Sequence, residues 1–209
     1  MTAERMYVEL AQARLTAALD TAVQRIRDHL VPLLQGRPGS KGYCAFAANG
    51  TLHAVSIFDD AANAQGAREC ATEWAATEMM DVLAEAPTTL GGKAVFHEVE
   101  APAKQQKDRH HALFAVICAY HGLPGQAEAM HSPTSRETVP AIEHAPGFYA
   151  FRDEAAPDRA ISVTLFDTHD QAMVAHEAVL AITKQRLGDM DYALPEVTMG
   201  EPLVLTQGA

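Results

Sequence analysis

His53 and Trp74 are the side chains whose type and position best suit chemistry in this 209-residue chain. His53 falls in a predicted strand, where its ring can serve as base or hydrogen-bond donor near neutral pH. The position 108 residues further on is Ile161, in a matching apolar pattern. A polar ring where the matching position holds Ile needs a partner or a cavity, because an unpaired buried polar group costs roughly 1–3 kcal/mol. The plainer reading is a histidine near a strand end, satisfied by backbone or water. Trp74 matches Ile182 on the inner stripe of a predicted helix. It reads either as a flat pocket wall with its indole N–H as donor, or as ordinary core packing. Cys44 and Phe46 share the expected His53 face. His53 is thus the candidate catalytic residue, and Trp74, Phe46 and Cys44 are candidate substrate-binding residues. If the helix covers the His53 face, His53 and Trp74 line one cavity in the first half of the chain.

Histidines gather in the second half: His110, His111, His121, His131, His144, His169 and His176. His169 and His176 lie seven apart, on one helical face. No HxH or HxxxH pair and no obvious carboxylate partner accompanies them, so they read as exposed side chains and no metal site is expected. There is no GxSxG, P-loop or GxGxxG pattern. Glu128, Glu137 and Glu143 read as a solvated helix face.

The elements that position these residues follow from an internal repeat. Val31-Pro32 and Pro38-Gly39 return as Val139-Pro140 and Pro146-Gly147, each displaced by 108 residues. The same displacement pairs Leu15 with Leu123, Val55 with Val163, Phe58-Asp59 with Phe166-Asp167, and Ala64, Ala67 and Glu69 with Ala172, Ala175 and Glu177. Inside the hairpin the register slips by three, so Gly42, Ala45 and Phe46 match Gly147, Ala150 and Phe151. This predicts two units of ordinary small-domain size, 1–100 and 109–209, joined by a polar linker at 101–108.

Each unit reads as βαββαβ. In the first, residues 7–15 alternate as a strand. A helix over Thr16 to Gln35 carries Leu19, Val23, Ile26 and Leu30 on one stripe, and Pro32 bends or loosens its end. Asn49-Gly50 then joins Gly42–Ala48 to Thr51–Phe58 as a tight hairpin, with Ala48 opposite Thr51 and Phe46 opposite His53. One face holds Cys44, Phe46, His53, Val55 and Ile57; the other holds Tyr43, Ala45, Leu52, Ala54, Ser56 and Phe58. A second helix starts at Asp59-Asp60 and runs to about Ala84. Pro87 and Gly91-Gly92 mark a loop before a strand over Lys93 to Val99. The second unit repeats this with strands at 111–121, 147–153, 159–166 and 197–205, and helices near 124–144 and 169–187. Thr168-x-x-Gln171 is a capping box at the last helix.

Hydrophobic residues make up 48% of the chain, enough for a packed core, and the net charge is −11. That charge disfavours nucleic acid and anionic membrane surfaces as partners. No apolar run reaches the ~20 residues of a spanning helix. The start, MTAERMYVEL, lacks a signal-peptide pattern. Cys44, Cys70 and Cys118 form no CxxC pair and read as reduced thiols, so a cytoplasmic protein is expected.

A four-stranded sheet with both helices on one face would leave an apolar second face, which a water-exposed surface rarely tolerates. The expected fold is therefore α+β, with tandem ferredoxin-like βαββαβ repeats whose sheets pack together as an intramolecular dimeric-type α/β barrel. Pro38-Gly39, Val55-Ser56-Ile57-Phe58-Asp59 and Val163-Thr164-Leu165-Phe166-Asp167, set in this order, resemble the antibiotic biosynthesis monooxygenase-like branch of the dimeric α/β-barrel superfamily, in two tandem copies. The resemblance implies cofactor-independent oxygenation of a small apolar or aromatic molecule, with no metal or flavin required. The other reading is a non-catalytic, stress-responsive or ligand-binding barrel. The resemblance also brings in haem-degrading relatives, which use an Asn, a Trp and a His. The first strand here has no Asn, and Trp74 lies on a helix rather than a strand. A small-molecule ligand is the expected partner, and the assembly is either a monomer with a pseudo-dimeric barrel or a homodimer.

Overall fold

Asn49 and Gly50 both adopt positive φ, 52° and 75°, and close the hairpin between β2 (Ser40–Ala48) and β3 (Thr51–Phe58) with two residues. Ala48 faces Thr51 and Phe46 faces His53, as the turn dictates. The computed structural model describes residues 6–16, 19–98, 113–121, 147–187 and 195–207. The chain forms two compact units, Met1–Lys93 with Pro202–Ala209, and Ala94–Glu201.

In unit 1, β1 (Tyr7–Arg14) pairs antiparallel with β3 on one side and with β4 (Thr88–Glu98) on the other. The order is β4-β1-β3-β2-β9, where β9 is Pro202–Gln207 from the end of the chain. Unit 2 repeats the scheme. There β5 (Phe114–Tyr120) pairs with β7 (Ala160–Phe166) and β8 (Glu196–Gly200), and β6 (Gly147–Arg152) pairs with β7 and with the second half of β4. The chain therefore leaves unit 1 within β4, at Lys93, and returns at Pro202. The boundaries expected at 100 and 109 follow chain order. The units follow strand pairing, because the end of each half completes the other unit's hairpin.

The first helical segment is α1 (Leu19–Arg25), a π-helical turn (Ile26–Leu30) and α2 (Val31–Gln35). Pro32 has no N–H to continue the α-helical ladder, and the Val31 N–H bonds instead to Ile26 O, five residues back. Helix α3 (Ala61–Glu78) is capped by Asp60, whose side chain accepts from the Asn63 N–H at 2.8 Å. It ends at Glu78 rather than near Ala84. The following residues are drawn into the sheet end: Thr16 N–H donates to Val82 O, Ala84 N–H donates to Arg14 O, and Met79 and Val82 are buried against Ala22 and Ala75.

The glycines expected to form a loop, Gly91-Gly92, lie inside β4. A Cβ at Gly91 would sit 3.1 Å from the Tyr7 ring and 3.4 Å from Glu9 Cγ. Glycine there lets the strand lie alongside those side chains. In unit 2, α4 (His169–Leu187) begins with the Gln171 N–H donating to Thr168 Oγ1 at 3.2 Å. The helix expected near 124–144 lies outside the described residues.

Both helical segments of unit 1 cover the face bearing Tyr43, Ala45, Leu52, Ala54 and Phe58. Those residues form one core with Ile26, Leu30, Leu34, Ala64 and Ala67. Each large apolar side chain fully buried there contributes about 1.5–3 kcal/mol. The opposite face, with Val8, Leu10, Phe46, His53 and Val55, is also buried.

Candidate functional site

A cavity lies between the helices and the sheet of unit 1 because both surfaces are lined with small residues. Cross-strand register places Ala45, Ala54, Ala11 and Thr89 in one row across the sheet. Above the sheet stand Ala67, Ala71 and Ala75 of α3. Alanine facing alanine leaves about 90 Å³ open to the centres of water-sized spheres. A single water needs about 10–15 Å³ on that measure. The remaining walls are chiefly Ile26, Leu30, Leu34, Leu52, Phe58, Met79 and Leu83.

Few polar groups enter this mostly apolar pocket. The neighbouring row across the sheet is Tyr43, Ser56, Glu9 and Gly91, set by successive strand pairs. The Tyr43 hydroxyl is buried without a hydrogen-bond partner, as is the Trp74 indole Nε1. Both residues line the cavity. Burial raises the Tyr43 pKa, so its hydroxyl is a donor at any ordinary pH. Glu9 is 5% exposed. Arg68 of α3 donates from Nε to Glu9 Oε1 at 2.8 Å, and Arg68 Nη2 contacts the same oxygen. Burial raises the Glu9 pKa despite the opposing pull of Arg68.

Trp74 is among the residues that line this cavity. His53, Phe46 and Cys44 are not beside it. They lie on the opposite sheet face, because the helices cover the Tyr43 face, so His53 and Trp74 do not share a cavity. His53 stacks on Phe46, with ring centroids 5.2 Å apart, and its Nδ1 lies 3.2 Å from Gln12 Nε2. Burial lowers its pKa, holding the ring neutral. The Cys44 thiol is pushed up to about 12 by burial and stays protonated.

Sequence reasoning did not single out Glu9, Arg68 and Tyr43. Glu9 alternates with Val8 and Leu10 and so reads as a solvent-facing strand residue. The available signal was the density of alanine on both facing surfaces. Ala11, Ala13 and Ala54 on strands and Ala67, Ala71 and Ala75 on a helix cannot fill the space between them.

The polar set belongs to one unit. Ser56 and Thr164 are 108 residues apart, and their strand partners are Glu9 and Tyr43 in unit 1 but Val116 and Phe148 in unit 2. Trp74 and Arg68 correspond to Ile182 and His176 at the same displacement. Of the second-half histidines, His169 packs edge-on against Phe114 at 4.9 Å, and His121 lies 3.7 Å from Glu196. His110, His111, His131 and His144 lie outside the described residues. Among the described residues no group of three or more His, Cys, Asp or Glu is placed to hold a metal ion. No described helix is long and apolar enough to cross a membrane.

No protein-family model and no curated protein matches the chain. Solved structures do. A "putative monooxygenase" from Fusobacterium nucleatum superposes with a TM-score of 0.77 at 12% identity, covering 99% of this chain and 96% of its own. An anthrone oxidase-like protein gives 0.62 at 9% identity, covering 99% and 94%. A mutant chlorite dismutase from Candidatus Nitrospira defluvii gives 0.60 at 10% identity, covering 96% and 92%. At these identities the likeness is one of fold. The chain shares the α+β fold of these structures along nearly its whole length.

Proposed function

We propose that the chain binds a small, mostly apolar or aromatic molecule bearing a hydrogen-bond acceptor in the unit 1 cavity, as a cofactor-independent monooxygenase-like protein. The carrying observation is a mostly apolar cavity whose lining residues include Tyr43 and Trp74, each of which also has a buried donor without a partner. Each unpaired buried donor costs roughly 1–3 kcal/mol. A ligand oxygen that accepts from them recovers that cost, and a ring between the alanine surfaces fills the space. The fold neighbours described as monooxygenase and anthrone oxidase-like supply the reaction class. In that chemistry the ligand loses a proton, and the resulting carbanion reacts with dioxygen. The protein's own part is to hold the ring, orient its oxygen and exclude water. The asymmetry between units fits a duplicated ancestor in which one half retains the site.

The second reading is binding without turnover. It draws on His53, the expected base, lying outside the cavity. Calorimetric titration with small aromatic ketones, on the native chain and on Ala71→Leu, tests the binding site. Binding to the native chain and its loss in Ala71→Leu are expected. Equal binding to both removes the cavity from the account. Dioxygen uptake with the bound ketones then separates monooxygenation from binding alone.

A further inference from the structure

This inference rests on the reading that the unit 1 cavity binds a small molecule. We infer that Glu9 is the proton acceptor of that site, with Arg68 as its positioning residue, and that the ligand carries an acidic proton beside its acceptor oxygen.

The geometry points to Glu9 in three ways. First, it is the one carboxylate among the described residues that line the cavity, and it comes from a strand whose other helix-facing residues there are Ala11 and Ala13. Second, Arg68 grips a single oxygen. Both of its contacting nitrogens meet Oε1. A carboxylate gripped through one oxygen is fixed in orientation, and its second oxygen is also a proton acceptor when the group is ionised. Third, Glu9 and Tyr43 flank Ser56 in one row across the sheet. Two strand spacings put their Cα atoms about 10 Å apart on the same face, so both side chains stand over one strip of the sheet. The acceptor oxygen then meets the Tyr43 hydroxyl, and the C–H or O–H beside that oxygen faces Glu9.

The step balances without a further reactant. The ligand's C–H or O–H bond breaks and the proton passes to Glu9 Oε2. The electron pair stays on the ligand and delocalises onto its acceptor oxygen, which takes hydrogen bonds from Tyr43 and Trp74. Glu9 becomes a neutral acid, the form that burial favours. Unit 2 has Val116 where unit 1 has Glu9, so the acceptor is confined to the cavity with the donors.

The test uses the full chain with 2-indanone as probe and indane as its analogue without oxygen. Exchange of the ketone's methylene protons is followed by NMR in D₂O under argon. The native chain is expected to bind 2-indanone about tenfold or more tighter than indane, as one recovered hydrogen bond allows. It should also accelerate the exchange. Glu9→Gln should slow protein-dependent exchange by about 10²–10⁴-fold, the usual contribution of a positioned base, with binding changed only a few-fold. Glu9→Asp, which keeps the carboxylate, should restore part of the exchange. Arg68→Gln should lower the maximal exchange rate more than it raises the half-saturating ketone concentration. The assignment is overturned if Glu9→Gln exchanges as fast as the native chain, or if bound 2-indanone shows no accelerated exchange at all. If neither compound binds, the cavity reading itself fails and takes this inference with it.

Discussion

Gly39 and Asp59 compete for one volume. A Cβ on Gly39 would lie 1.9 Å from the Asp59 carboxylate oxygen, and Gly39 holds φ at +72°. The Asp59 N–H donates to Gly39 O at 2.9 Å, and Asn63 Nδ2 donates to Asp59 Oδ1 at 2.8 Å. Pro-Gly and Phe-Asp, twenty positions apart in the sequence, are thus two sides of one joint between the hairpin and α3. Gly39→Ala should destabilise the fold by about 1–3 kcal/mol, since it adds left-handed strain to a clash. Asp59→Ala should lessen that penalty in a double-mutant cycle read by urea unfolding. An additive cycle would show that the two do not meet.

The His53 ring should make the native fold acid-sensitive. Its pKa is lowered on folding, so below about pH 6.5 the unfolded chain binds a proton that the folded chain refuses. Stability from this residue is complete above that pH and declines as pH falls through it. His53→Ile, the residue found at the matching position 161, should flatten the stability profile between about pH 7 and 5. It leaves the Gln12 amide without its partner, at a cost of about 1 kcal/mol that Gln12→Ala should recover. Melting temperatures of the single and double variants across that pH range check both statements. An unchanged slope in His53→Ile would contradict the buried neutral ring.

The three thiols should differ in reactivity. Burial pushes Cys44 up to about 12 and Cys118 up to about 11, so neither forms thiolate at working pH. Cys70 is partly exposed, with Arg37 Nη2 against its sulfur. Iodoacetamide at pH 8 should label one cysteine in the folded protein and three after unfolding. Mass spectrometry should place the first label on Cys70.

Removing the Tyr43 hydroxyl should cost the empty protein nothing. Tyr43→Phe deletes a buried donor that has no partner, and stability should rise by about 1 kcal/mol or stay level. Thermal unfolding of the ligand-free variant is the check. A loss of more than about 1 kcal/mol would mean that the hydroxyl already has a structural partner.

Much of this fold was legible because its signals are local. Asn49-Gly50 fixed the hairpin register, and Asp60 and Thr168 marked helix starts, since turn and cap chemistry needs only neighbouring residues. The three-residue slip that aligns Phe46 with Phe151 reappears in the pairing, where their partners are His53 and Ile161. What could not be read depends on distant partners. Which face of the hairpin the helices cover decides whether His53 or Tyr43 meets Trp74, and both faces are apolar enough to be buried. Gly91-Gly92 reads as a loop until Tyr7 and Glu9 are seen beside it. Glu9 reads as a surface charge until Arg68, fifty-nine residues away, is placed against it.

Trp74 is the chain's single tryptophan and lines the cavity, so its fluorescence tests the central claim most directly. Titration with 2-indanone should change its emission saturably in the native protein, and the change should disappear in Ala71→Leu while the fold persists by circular dichroism. Emission that stays constant while calorimetry records binding would place the ligand elsewhere, and the account of this cavity would be wrong.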